Sequence, residues 1–192
     1  MKITGENLIG GQWSAEGGVR FLGVDPRTHL EIEPSFTEAT SAEVDRAVAL
    51  AVRAFEGYSQ TPPSTRATFL RAIADELHAL GAELIDRAHL ETALPVARLE
   101  GERGRTLGQL RLFASLLEEG SWVDARIDRG DPARAPLPKP ELRRMLVPLG
   151  PVAVFGASNF PLACAPAPAR HPPTTASRHP ANPRAATPST SE

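Results

Sequence analysis

The sequence predicts an α/β fold in which short β-strands come first, helices follow, and the first strand of a parallel sheet comes last. Gly-Gly turns separate short apolar segments near the start of the chain, which is typical of strands. Four longer segments then carry apolar residues at helical spacing. The late segment "VAVF" is apolar at every position, as expected of a parallel strand covered on both faces.

The early segments "NLIGGQW", "GVRFLGVDP" and "HLEIEPSF" predict the short strands. The start of the first helix carries a capping box, because the Thr40 side chain can cap the helix and the Glu43 side chain can bind the backbone N–H of Thr40. Its predicted buried stripe consists of Val44, Ala47, Val48, Ala51, Val52 and Phe55.

Three more helices are predicted after this one. The buried face of the second consists of Phe69, Leu70, Ile73, Leu77 and Leu80. Gly81 suits its end, and the third helix, "AELIDRAHLETA", is stopped by Pro95. The fourth and longest runs from Pro95 to Gly120, with proline well placed in its first turn.

The fourth helix contains Gly101, Gly104 and Gly108, whose spacing puts them on one face. Each glycine costs roughly 1 kcal/mol relative to alanine in a helix interior. One interpretation is that a neighbouring backbone packs closely on this face. The other is that the open face leaves room for a substrate passage beside Arg103 or Arg105.

A proline-rich connection leads to "LRRMLVPLG", which predicts a strand at a sheet edge because Pro148 cannot donate to a ladder.

The amino-acid composition of the chain changes after residue 163. Residues 164–192 are rich in proline and alanine and carry no aliphatic side chain larger than alanine, which predicts disorder. We therefore expect a folded part over 1–163 and a low-complexity tail over 164–192. The abrupt switch suggests a reading-frame change near residue 163.

Composition excludes several classes of function. A net charge of -2 gives no electrostatic reason to bind nucleic acid or an anionic membrane, and no apolar segment is long enough to span a bilayer. The single cysteine, Cys164, together with the lack of a secretory signal, predicts a reduced, cytoplasmic setting. No metal is predicted, because the histidines lack ligand spacing. They are His29, His78, His89, His171 and His179.

The turn "FGASNFP" is the candidate site. Gly156 allows a ligand to approach the backbone closely, and Asn159 presents an amide at the carboxyl end of the predicted strand, where α/β sheets bind ligands. Such an amide can donate to an oxygen that gains negative charge during acyl chemistry. Alternatively, Asn159 merely stabilises the turn. Cys164 is the first residue of the predicted tail, which does not dependably offer a base, a helix N-terminus or a cation to lower the pKa of its thiol.

The segment "GPVAVFGASNFPLA" resembles the part of aldehyde dehydrogenases that enters the cofactor-binding domain. The resemblance covers essentially residues 1–163, and "LPVARLEGERGRTLGQLRLFA" resembles the subgroup that oxidises 2-oxoglutarate semialdehyde. It implies the N-terminal part of that fold, with an incomplete Rossmann-like cofactor-binding domain.

The resemblance also implies roles for individual residues. Asn159 would stabilise the oxyanion, and Arg105, chosen over Arg103, would pair with the substrate carboxylate. Four residues would line the cleft for NADP or NAD: Phe155, Gly156, Ala157 and Ser158. The family's members are homo-oligomers that oxidise a small aldehyde to an acid by hydride transfer.

The chain departs from the family pattern in two ways. His29 stands where the family's early turn usually has glycine. The nucleophilic cysteine, the glutamate base, the cofactor-gripping lysine and the oligomerisation strands of the family have no counterpart here. We therefore expect the chain to be inactive alone. The alternative is a non-enzymatic remnant, or an interaction module that docks on a full-length dehydrogenase.

Overall fold

Two β-hairpins open the structure, a computed structural model that describes residues 3–156 and 159–163. Strands β1 (Asn7–Ile9) and β2 (Gln12–Ser14) pair antiparallel, as do β3 (Arg20–Val24) and β4 (Glu31–Thr37). Gly10 and Gly11 both have positive φ, 60° and 82°, as a two-residue hairpin turn with primed geometry requires. The strands predicted from the early apolar segments are confirmed.

The turn before β4 contains His29, the residue that stands where the resembled family usually has glycine. His29 adopts a φ of 61°, in the left-handed region that glycine enters without steric cost. Its N–H donates to the carbonyl of Asp25 at 2.8 Å. The conformation of this turn therefore explains why glycine suits the position, and shows that histidine is accommodated there.

Helix α1 (Ser41–Tyr58) begins with the predicted capping box, since Thr40 accepts from the Glu43 N–H and Glu43 accepts from the Thr40 N–H. The predicted buried stripe is largely wrong. Ala51 is buried, but Val44, Val48 and Val52 are 44%, 57% and 51% exposed. Helical spacing creates an apolar face, whereas burial needs another element across it, and no described element covers these three valines.

The main core lies between α2 (Pro63–Ala79) and α4 (Val96–Glu119). Its buried members are Ala67, Leu70, Ala74, Leu107, Leu110 and Ala114. Ile73 and Leu77 pack against this core as predicted, but Phe69 is 42% exposed, because it lies toward Tyr58 rather than toward α4.

A second, smaller core joins α3 (Gly81–Thr92) to the first turns of α4. Ile85, Ala88 and Leu99 are its buried members, and Leu94 and Leu162 pack against them. Pro95 immediately precedes α4, and Gly120 ends it at a φ of 83°, as predicted. Helix α4 therefore contributes buried side chains to both cores: Leu107, Leu110 and Ala114 to the main core and Leu99 to the smaller one.

The last described elements are a 3-10 turn (Ser121–Val123) and a hairpin of β5 (Arg126–Asp128) and β6 (Leu142–Arg144). The predicted edge strand is thus confirmed only over its start. The predicted parallel strand "VAVF" is wrong for this structure, since residues 151–156 form no ladder and Phe155 is 88% exposed. A strand needs a partner for its backbone groups, and none of the described strands runs beside it. The predicted disorder of 164–192 falls outside the described residues.

Candidate functional site

The candidate turn "FGASNFP" is described only in part. The segment of residues 159–163, which contains its Asn159, lies against the N-terminal half of α4 and is called the Asn159 turn below. Thr106 donates its hydroxyl to the Leu162 carbonyl at 2.6 Å. The Leu162 N–H donates to Oε2 of Glu102 at 3.2 Å. Both backbone groups of Leu162 are therefore bound by side chains of one helix.

Arg98 makes the third connection between the helix and the Asn159 turn. Its Nη2 donates to the Asn159 carbonyl at 2.7 Å, and its Nε donates to Oε1 of Glu102 at 3.1 Å. The same guanidinium lies over the Phe160 ring, 5.3 Å from the centroid, a cation–π contact. Residues 98, 102 and 106 are spaced by four, so they lie on one face of α4. We call them the α4 polar triad.

Much of this contact is removed from water. The Glu102 side chain is 7% exposed and Thr106 is 3% exposed, while Arg98 reaches solvent. The Leu162 side chain packs on the smaller core, and Ala163 is buried. A buried carboxylate requires compensation, which the Arg98 guanidinium and the Leu162 N–H supply.

The structure brings only part of the predicted site together. Asn159 is exposed while its carbonyl is bound by Arg98. Phe155 and Gly156 are exposed too, and a Cβ added at Gly156 would meet no described atom within 4 Å. Ala157 and Ser158 lie outside the described residues. The described part of the predicted cofactor-lining group is therefore not enclosed.

The two candidate arginines differ in their surroundings. Nη1 of Arg103 donates to the Gly81 carbonyl at 2.6 Å, which joins α4 to the start of α3. Arg105 is exposed. Arg103 is therefore engaged in helix packing, and Arg105 is the more accessible of the two.

The glycine face of α4 is open. A Cβ built at Gly101, Gly104 or Gly108 would have no described atom within 4 Å. Of the two interpretations of these glycines, close packing of a neighbouring backbone is not found among the described residues. Arg105 lies four residues after Gly101 and three before Gly108, so it borders this open face.

Sequence reasoning missed the α4 polar triad. The spacing of Arg98 and Glu102 is that of a helical ion pair, which could have been read from the sequence. That spacing did not indicate that these side chains also bind the Asn159 turn. Glu102 and Leu162 are 60 residues apart in the chain, and no local pattern connects them.

The histidines that the structure describes are not arranged as metal ligands. His89 lies between the Leu94 carbonyl, 2.6 Å from Nδ1, and Nη1 of Arg27, 3.0 Å from Nε2. Within residues 3–156 and 159–163, no group of three or more His, Cys, Asp or Glu side chains is placed to hold a metal ion. None of the helices in this part of the chain is long and apolar enough to cross a membrane. Cys164, His171 and His179 lie outside the described residues.

Comparison with known proteins supplies a family. Residues 13–172 match the family described as the aldehyde dehydrogenase family. The chain is 54% identical over 164 residues to alpha-ketoglutaric semialdehyde dehydrogenase 2 of Azospirillum brasilense, covering 85% of this chain and 31% of that protein. It is 45% identical over 160 residues to alpha-ketoglutaric semialdehyde dehydrogenase of Acinetobacter baylyi, covering 83% of this chain and 30% of that protein.

A solved structure shares the fold. A double mutant of betaine aldehyde dehydrogenase from Staphylococcus aureus, in complex with NAD+, superimposes with a TM-score of 0.74 at 24% identity. The superposition covers 91% of this chain and 34% of that one. The chain thus spans about a third of the length of the proteins it matches.

Proposed function

The chain belongs to the aldehyde dehydrogenase family, and we propose that it supplies the N-terminal part of an enzyme that oxidises 2-oxoglutarate semialdehyde to 2-oxoglutarate. The observation that carries this proposal is the 54% identity to a relative named for that substrate. A second relative with the same substrate in its name is 45% identical. NAD or NADP would accept the hydride, and the lone cysteine supports a reducing, cytoplasmic setting.

Asn159 is proposed to stabilise the oxyanion. When a nucleophile attacks an aldehyde, the carbonyl oxygen gains negative charge, and a fixed amide N–H can donate to it. One feature supports this role: the backbone of its turn is bound to α4 through Arg98 and Leu162. A donor held in this way needs little reorganisation as the charge develops.

Arg105 is proposed to bind the substrate's distal carboxylate. A guanidinium can bind a carboxylate with two parallel hydrogen bonds. The exposure of Arg105 beside the open glycine face supports this choice, and the contact of Arg103 with Gly81 argues against the alternative.

The cofactor is proposed to lie against Phe155, Gly156, Ala157 and Ser158. When bound, it would supply the hydride acceptor. Phe155 and Gly156 as described have no enclosing neighbours and do not form a dinucleotide site unaided. The other contacts to the cofactor would have to come from residues other than these two.

A chimera tests the proposal. The matching segment of the Azospirillum brasilense relative is replaced with residues 3–163 of this chain, and NAD(P)-dependent oxidation of 2-oxoglutarate semialdehyde is measured. We expect activity in the chimera. We expect Asn159→Ala to lower kcat by about 10²–10³-fold, the usual loss for one oxyanion donor.

Matched arginine variants test the choice of Arg105 over Arg103 as the residue that binds the substrate carboxylate. Arg105→Gln should raise KM for 2-oxoglutarate semialdehyde but not for an uncharged aldehyde such as propanal, whereas Arg103→Gln should not discriminate between the two.

An Asn159→Ala chimera with undiminished kcat would refute the oxyanion role. The 192-residue chain assayed alone is expected to stay at background, because the resemblance assigns it no nucleophilic cysteine.

One observation favours a second candidate function, a module that docks on a full-length dehydrogenase. The exposed valines of α1 form an apolar row that no described element covers, and such surfaces are typical of interaction sites. Stoichiometric co-purification of the chain with a full-length dehydrogenase, abolished by Val48→Asp, would support this function. Purification without such a partner would count against it.

A further inference from the structure

We propose that the α4 polar triad, Arg98, Glu102 and Thr106, consists of positioning residues that hold the Asn159 turn in one orientation on α4. This inference rests on the proposed function, because it assigns a purpose to the fixed position of Asn159. None of the three residues is placed in contact with the aldehyde. They act through the backbone of the turn.

The hydrogen bonds at Leu162 fix a direction as well as a location. Its N–H is bound by Glu102 and its carbonyl by Thr106. Packing of the Leu162 side chain on the smaller core would hold the turn near α4, but hydrophobic contact is non-directional. Two hydrogen bonds to opposite backbone groups of one residue restrict rotation of the turn about that contact.

Burial makes these two hydrogen bonds costly to lose. Glu102 and Thr106 are both buried, and a buried polar group left without its partner loses its solvation as well as its bond. Alternative orientations of the turn would leave Oε2 of Glu102 or the Thr106 hydroxyl without its partner. One orientation is therefore strongly favoured over its neighbours.

Arg98 extends this restraint to the residue that carries the amide. It binds the Asn159 carbonyl and the Glu102 carboxylate at once, and it lies over the Phe160 ring. A lysine has one charged nitrogen and lacks the planar group that makes these contacts together. Catalytic groups need to be held within about 0.5 Å of their productive position, and Arg98 supplies this restraint next to Asn159.

The experiment uses the full 192-residue chain labelled with 15N. Exchange of the Leu162 amide proton and the order of the Asn159 backbone and side-chain amides are measured by NMR. Thr106→Val removes the hydroxyl at nearly constant volume, and we expect about tenfold faster exchange at Leu162 and lower order at Asn159. Thr106→Ser keeps the hydroxyl and should restore wild-type values, which loss of packing alone would not predict.

Two further variants keep the test decisive. Arg98→Lys changes a solvent-reaching side chain, so the fold is retained, and it should lower the order of Asn159 while changing Leu162 less. Glu100→Gln, on an exposed position of α4, is the matched control and should change neither. Urea unfolding of each variant identifies any that have lost the fold. Unchanged Asn159 order in both Arg98→Lys and folded Thr106→Val would overturn the proposal.

The outcomes also separate this inference from the proposed function. If the triad variants free the turn while Asn159 proves dispensable in the chimera, the positioning is real and the oxyanion role is wrong. If Asn159 is essential but the triad variants leave its order unchanged, the oxyanion role stands and the positioning role fails.

Discussion

Glu43 has the most extensive set of partners of any single carboxylate described near the N-terminus. It lies fully buried between the first hairpin and α1. Its Oε2 accepts from the Thr40 N–H at 2.8 Å, and its Oε1 accepts from the Ser14 hydroxyl and the Glu16 N–H. The hydrogen bond from Ser14, followed by that from the Thr40 backbone, lowers the pKa of Glu43 from 4.5 to about 2. Glu43 therefore joins the hairpin to the helix in its ionised form.

This shift predicts how stability depends on pH. The carboxylate has a lower pKa when folded than when unfolded, so its contribution is fully present above about pH 4.5 and is lost as pH falls toward about 2. We expect Glu43→Gln to flatten the fall in the free energy of unfolding across this window. Urea unfolding between pH 2 and pH 7 measures it.

A matched variant checks the cause. Ser14→Ala removes the hydrogen bond that lowers the pKa of Glu43 most, so its loss of stability should still begin near pH 4.5 but should be smaller and end at a higher pH than in the wild type. Parallel pH profiles for Glu43→Gln and the wild type would contradict the prediction.

At the scale of elements, α4 combines weak local propensity with strong tertiary contacts. It carries three glycines on an open face, yet its other faces contribute to both cores and to the Asn159 turn. The cost of the glycines, roughly 1 kcal/mol each, is offset by this packing. Helical stability in proteins comes mostly from such tertiary contacts.

The open face makes a prediction about Gly104. Because an added Cβ would meet no described atom within 4 Å, Gly104→Ala should raise the free energy of unfolding by about 0.5–1 kcal/mol through helix propensity alone. The reverse change in the same helix, Ala114→Gly, is the control. Ala114 is buried in the main core, so its loss should be destabilising.

Chemical denaturation of the two variants measures these effects. A destabilised Gly104→Ala variant would mean that another part of the protein packs on this face, and the packing interpretation of the glycines would return.

At the scale of the whole molecule, α4 is shared by two separate cores. Leu110 belongs to the core with α2, and Leu99, which is fully buried, belongs to the core with α3. Only the second core includes a residue of the Asn159 turn, Leu162. The position of the turn should therefore depend on the smaller core.

Truncating the two leucines tests this division. Leu99→Ala and Leu110→Ala should each lower the free energy of unfolding by about 2–5 kcal/mol. Leu99→Ala should also speed exchange of the Leu162 amide proton beyond its effect on α2 amides, whereas Leu110→Ala should not. Equal effects of both variants on Leu162 would show that the two cores behave as one.

Local chemistry made several features predictable. The capping box at Thr40 and Glu43, the stop at Pro95 and the left-handed end at Gly120 are each specified by a few neighbouring residues. Helix spacing likewise predicted that Leu70 would be buried. The sequence could not predict which faces are covered, because coverage depends on elements far away in the chain.

The sequence by itself determined the helices, their start and stop signals and the choice of Asn159 as a candidate, since propensity, capping and motif depend on adjacent residues. The tertiary structure alone decided that "VAVF" lacks a ladder, that the α1 valines stay exposed and that the glycine face is open. It also decided that Arg98, Glu102 and Thr106 bind the Asn159 turn. These features require a partner segment at the right place in space, and hydrogen bonds and burial across such separations are not encoded in any local pattern.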